Sequence, residues 1–162
     1  MDDDACLSDI ERALAALVRR ASLPRFHDHI RTTARVDLDR TLYPVLGRIG
    51  DEEPVRVSDL ASGLGLDLST ISRGVAQLAA AGLVERQPDP ADGRASTIRL
   101  TRAGRDGLRR VRAAWRAVVT ELVADWPEKD RADLARLLCR LADAIGEYGT
   151  ASTSTSTKAL AR

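Results

Sequence analysis

The chain has little lysine, few aromatic residues and no excess of either charge. Lysine occurs only at Lys129 and Lys158 among 162 residues, and arginine supplies the rest of the positive charge. With 25 basic and 24 acidic side chains the formal net charge is +1, which excludes a uniformly basic coat; any contact with a polyanion must come from local pattern. Aromatic residues make up 3% of the chain, so its interior must be built from Leu, Val, Ile and Ala, a composition that favours helix packing. The only cysteines, Cys6 and Cys139, form no C-x-x-C or Cys-His array, which argues against a disulfide scaffold. No apolar run approaches the roughly eighteen residues needed to span a bilayer, and the start lacks a charged-then-apolar leader. A cytoplasmic location without a membrane partner is therefore expected. G-x-S-x-G, H-E-x-x-H, P-loop and paired-glycine nucleotide motifs are all missing, so neither an enzyme nor a cofactor is expected. His27 and His29 flank Asp28, but residues two apart on a helix point about 200° apart, so no metal site is expected there.

What is present centres on Val55 to Thr101. Ser58 to Gly63 reads as a short helix with Ser58 as its N-cap and with Leu60, Ala61 and Leu64 facing inward. Gly63-Leu64-Gly65-Leu66 supplies a glycine-bearing turn of the kind that lets two helices meet steeply. A second helix from about Leu68 to Ala81 carries Ile71, Val75 and Leu78 at three-four spacing, the mark of one buried face. Its other face carries Ser69, Thr70, Ser72, Arg73 and Gln77, side chains able to reach phosphates or base edges. Gly82 ends this helix. Leu83 to Gln87 and Ala95 to Leu100 read as strands, and Pro88 to Arg94, with two prolines and an Asp-Gly pair, as the loop between them. Arg94 stands at the far end of that loop, where a guanidinium could enter a narrow minor groove.

The flanks read as helices. Leu7, Ile10, Leu14, Leu17, Val18 and Ala21 share one face of a first helix, which Pro24 interrupts; a second piece runs to about Val36 on Phe26 and Ile30. Asp39 or Thr41 can cap a helix through Ile49 that Gly50 to Pro54 then breaks, and Val55 to Val57 can form a short strand. Thr101 is an N-cap for a long helix ending before Pro127, with Leu108, Val111, Trp115, Val118 and Leu122 as its seam and a length of about 37 Å. The arginines that follow the wing, Arg99, Arg102, Arg105, Arg109 and Arg110, read as a solvated face. A last helix from about Glu128 carries Leu134, Leu137, Leu138, Leu141, Ile145 and Tyr148, and Cys139 among those leucines reads as buried and inert. From Thr150 onward the Ser/Thr-rich tail has no periodicity, and disorder is expected. The expected fold is mainly α with a small β-wing: N-terminal helices at 1–36, a winged helix-turn-helix head at 37–101, C-terminal helices at 102–149 and a tail at 150–162. The first and last helices offer more apolar stripe than a small head can cover, which points to a homodimer.

The order L-A-x-x-L-G-L-x-x-S-T-I-S-R-x-V-x-x-L-x-x-x-G-L-V-x-R, followed by D-P-A-D-G-R-A and then L-T-x-x-G, resembles the MarR family of bacterial winged-helix transcription regulators. The resemblance implies a homodimeric regulator, a repressor as a rule, on double-stranded DNA, with a pseudo-palindromic operator that places the two recognition helices about 34 Å apart. It assigns phosphate and base contacts to Ser69, Thr70, Ser72, Arg73 and Gln77, the flanking minor groove to Arg94, and the shaping of the wing tip to Asp92. It also implies a small-molecule effector, for which Phe26, His29, Ile30, Tyr43 and Trp115 form the expected pocket. Two departures stand out: Asp-Gly-Arg replaces a common pair of arginines in the wing, and Leu78 to Gly82 lacks the usual charges. The near-neutral balance keeps open a winged-helix protein-interaction module without DNA binding. Cys6 keeps open a thiol-based sensor, although the companion tyrosines are not evident.

Overall fold

The computed structural model describes residues 3–89 and 95–159, with side chains described through residue 148. Among the described residues the elements follow one another as α1 (Asp3–Ala21), α2 (Pro24–Ala34), a 3₁₀ turn (Arg40–Leu42), α3 (Tyr43–Glu52), β1 (Val55–Arg56), α4 (Val57–Leu64), α5 (Leu68–Ala80), β2 (Val84–Pro88), β3 (Ser96–Leu100), α6 (Arg102–Leu122) and α7 (Glu128–Ala159). The expected class, mainly helical with a small antiparallel sheet, is what the chain adopts. The chain divides into two compact units, Met1–Arg116 and Ala117–Arg162.

In the first unit the core is aliphatic, as the shortage of aromatics requires. Ile30 from α2, Leu46 and Ile49 from α3, Leu60 from α4, Ile71, Val75 and Leu78 from α5 and Ile98 from β3 are all fully buried. In α2, α3 and α5 the buried residues include pairs three or four apart, so one stripe of each helix is removed from water. The sheet has the order β1-β3-β2, both pairs antiparallel, with Val55 opposite Ile98 and Val84 opposite Leu100. Its inward members, Val55, Val84, Ile98 and Leu100, close the core under α3 and α5.

Helix boundaries follow from local chemistry, and several differ from the sequence expectation. Pro24 occupies the first turn of α2, where its missing N–H costs nothing, and Arg35 ends that helix in the left-handed region at φ 50°. Asp39 does act as a cap, but for the 3₁₀ turn, accepting the Thr41 N–H at 2.8 Å. Helix α3 continues through Gly50 to Glu52; a Cβ at residue 50 would overlap the Leu108 side chain, so this glycine admits α6 rather than breaking the helix. The cap expected at Ser58 is not used: α4 follows directly on β1 with Arg56 at the cap position, and the Ser58 hydroxyl donates to Asp59 instead. Gly65 at φ 63° and Gly82 at φ 70° take the left-handed conformation that closes α4 and the turn after α5.

Thr101 caps α6, its Oγ1 accepting the Gly104 N–H at 3.0 Å. The helix stops at Leu122, about 31 Å long at 1.5 Å per residue, and so shorter than expected. Bonds from Ala124 N to Glu121 O and from Trp126 N to Val123 O tighten its end, and the residue before Pro127 resists helical geometry. Leu108, Val111 and Ala114 of α6 are buried. The arginines after the wing serve the scaffold: Arg105 pairs with Glu53 at 2.9 Å, Arg109 with Asp106 at 2.6 Å, Arg112 with Asp51, and the Arg110 Nε donates to Ala34 O at 2.9 Å.

Helix α1 buries no residue and leaves Leu7, Ile10, Leu17 and Val18 exposed. In the second unit α7 leaves Leu137, Leu138, Ile145 and Tyr148 exposed. Cys139 is exposed as well, contrary to the buried reading, because the leucines beside it are not covered. The α7 backbone stays helical through the Ser/Thr tract to Ala159, where the sequence has no apolar period. A helix already nucleated upstream can extend one bond per residue without a packing partner. Among the described residues no helix is long and apolar enough to cross a membrane.

Candidate nucleic-acid interface

Helix α5 separates its two faces cleanly. Ile71, Gly74, Val75 and Leu78 are buried, whereas Ser69, Thr70, Ser72, Arg73 and Gln77 are all exposed. All five sequence-predicted contact residues therefore lie together on the solvent side of one helix. Gly74 allows this, since a Cβ there would sit 3.1 Å from the Leu42 side chain.

The first turn of α5 is organised by the residue that precedes it, Asp67. Asp67 caps the helix, with Oδ1 accepting the Thr70 N–H at 2.8 Å and the Ser69 hydroxyl at 2.5 Å, while Oδ2 accepts the Thr70 hydroxyl at 2.6 Å. The Ser69 and Thr70 hydroxyls, followed by the Thr70 backbone N–H, hold the Asp67 carboxyl far below the usual carboxylate range, so it is ionised at every working pH. Arg73 lies one turn on, with Nη2 3.5 Å from Thr70 Oγ1. Asp-x-Ser-Thr at a helix start is the signal that could have revealed the cluster.

Behind α5 the wing is fastened by two acidic residues that local pattern did not single out. Asp89, only 8% exposed, accepts from Arg56 at 2.6 Å, and its N–H donates to Ala95 O at 3.0 Å, closing the base of the hairpin. Glu53 accepts the Leu100 N–H at 2.7 Å through Oε2 and pairs with Arg105 through Oε1, joining the end of α3 to β3 and α6. The wing-tip residues Asp92 and Arg94 lie outside the described residues.

The junction between α5 and α6 is equally specific. The Thr101 N–H donates to Leu83 O at 3.0 Å, and its hydroxyl donates to Gly82 O at 2.6 Å. A Cβ at residue 104 would fall inside the van der Waals shell of the Leu83 carbonyl, so the glycine of Leu-Thr-x-x-Gly is required by close backbone approach.

Of the five residues expected to line an effector pocket, the structure brings Tyr43 to a cleft of about 300 Å³ with Pro24, His27, Asp28, Arg31, Leu38, Asp39 and Arg40. Phe26 and Trp115 instead pack edge to face at 5.0 Å, Ile30 is in the core, and His29 is exposed. Burial pushes the Tyr43 phenol up, partly opposed by Arg31 and reinforced by Asp37 and Asp39, so it is a protonated donor at neutral pH. The Tyr43 hydroxyl and the Nδ1 of His27 are buried without a hydrogen-bond partner. No cluster of three or more potential metal ligands occurs among the described residues.

Comparison with known proteins agrees with this arrangement. A model of the MarR family matches residues 36–95. The uncharacterized HTH-type transcriptional regulator YxaD of Bacillus subtilis is 32% identical over 105 residues, covering 65% of this chain and 73% of the relative. The HTH-type transcriptional repressor IacR of Pseudomonas putida is 29% identical over 86 residues, covering 53% of this chain and 52% of that one. Among solved structures, the PcaV transcriptional regulator of Streptomyces coelicolor, in complex with its natural ligand, superposes with a TM-score of 0.59 at 28% identity, covering 82% of this chain and 91% of that one. The chain belongs to the MarR family of transcriptional regulators.

Proposed function

We propose that the chain acts as a homodimeric, sequence-specific DNA-binding repressor that lays α5 in the major groove of each half of a pseudo-palindromic operator. The carrying observation is the solvent face of α5, where Ser69, Thr70, Ser72, Arg73 and Gln77 stand together on a helix whose opposite side is locked in the core. In this reading Arg73 takes a guanine or a phosphate, Gln77 an adenine, and Arg94 the flanking minor groove, with Asp92 shaping the wing tip. Residues 37–101 form the reading head. The helices of 1–36 and 102–149, with their exposed Leu7, Ile10, Leu17 and Leu137, supply the dimer contact. The test is titration of an operator selected from a random duplex pool. Two chains should bind per duplex, and affinity should fall steeply with added salt. Binding that ignores salt and sequence would instead favour a protein-interaction module.

The cleft beside Tyr43 favours an effector as well. Arg31 and Arg40 line it together with Asp28 and Asp39 beside Tyr43, and this mixed lining suits a small aromatic molecule with a carboxylate for an arginine and a donor for an aspartate, whose binding would release the operator. A thermal-shift screen of aromatic acids should find one that raises the melting temperature of the wild type but not of Tyr43→Phe. Equal shifts in both proteins would place the ligand elsewhere.

A further inference from the structure

We propose that Leu68 is a specificity-determining residue that reads the C5-methyl group of a thymine; this rests on the DNA-binding reading above. Leu68 is the first residue of α5 and is 58% exposed, and Leu66, on the other side of the cap, is 46% exposed. Neither contributes to the core. They do not amount to the few hundred Å² of contiguous apolar surface that marks a protein-docking patch. They sit at the end of the recognition helix whose first residues meet base edges when such a helix enters the major groove.

The polar groups around Leu68 sharpen the assignment. The hydroxyls of Ser69 and Thr70 each have one proton, and both protons are directed to Asp67, as is the Thr70 N–H. The side-chain oxygens of this turn therefore present lone pairs and a carboxylate outward, and they cannot themselves donate to a guanine or a phosphate. Such acceptors can take an exocyclic amine of cytosine or adenine, and the apolar group exposed beside them is the Leu68 side chain. Of the groups displayed in the major groove, only the thymine methyl is apolar.

The experiment starts from operators enriched by wild-type protein out of a random duplex pool. Each thymine in turn is replaced by deoxyuridine, which deletes the methyl group and leaves the pairing edge intact. Wild type should lose about fourfold in affinity at one thymine per half-site, and about fifteenfold when both half-sites are changed. Leu68→Ser should bind thymine and uracil forms equally at that position. Affinity of the wild type unchanged at every uracil would overturn the assignment while leaving DNA binding intact, and so would a loss of the same size in Leu68→Ser. A pool that yields no enriched sequence would overturn both the assignment and the DNA-binding reading on which it rests.

Discussion

At the scale of single residues, Asp67 shows how one side chain can decide what its neighbours are able to do. Its carboxylate caps α5 and fixes two hydroxyl groups that sequence reasoning assigns directly to DNA. Because the folded carboxyl titrates below the ordinary value of 3.8, the stability it contributes is fully present above that value and is lost as the pH falls through the folded one. Asp67→Asn should therefore melt below wild type by a constant margin from about pH 5 upward, with the two melting curves converging in strong acid. Thermal melts across that range, monitored by circular dichroism, check the sign. A gap that widened on acidification would contradict it. The side chains on the solvent face of α5 were legible in the sequence because a 3.6-residue period separates them from Ile71, Val75 and Leu78. The direction in which their protons point was not, because it depends on a carboxylate two or three residues away adopting cap geometry.

At the scale of elements, the helix-turn-helix was legible because each of its parts is local: an apolar period, a glycine turn, a short hairpin. The attachments between the parts were not. Glu53 meets Leu100 and Arg105 across separations of 47 and 52 residues, and Arg56 meets Asp89 across 33. Nothing in the neighbourhood of any of these residues marks its partner. Gly50 shows the opposite error, a residue whose usual role as a breaker is overridden by the need to admit Leu108. The junction of α5 with α6 allows a quantitative test. Gly104→Ala forces a methyl group against a backbone carbonyl that belongs to a bonded turn and cannot yield as a flexible side chain would. It should cost about 3 kcal/mol of stability, at the upper end for overpacked sites. Urea denaturation with an unchanged slope and a lower midpoint is the expected result; an unaltered midpoint would mean that the junction can open at no cost.

At the scale of the whole molecule, the charge balance matters most. With a formal net charge of +1, no long-range field draws the chain to DNA. Arg105, Arg110 and Arg112 are bonded to other elements of the chain and Arg109 to Asp106 of its own helix, while all four remain exposed to solvent. On the proposed reading, affinity for an operator comes from a small number of contacts made by each of two copies. About four neutralised phosphates would reduce binding on the order of a hundredfold between about 50 and 200 mM salt, and the operator titration proposed above reads this directly. The terminal helices were legible as amphipathic, and Leu7, Ile10 and Leu17 of α1 and Leu137 and Leu138 of α7 are exposed.

The Thr101 junction also sets where this protein can be cut for engineering. Its hydroxyl is bonded on one side to Gly82 and on the other to the N–H of Gly104, so the last bond of the reading head lies inside the first turn of the next helix. A head transplanted onto another scaffold with its boundary drawn at Leu100, where the wing strand ends, would leave the carbonyls of Gly82 and Leu83 without their partners. The bonds of this seam run through Gly104, so a chimera that respects it takes at least the first turn of α6 along with the wing.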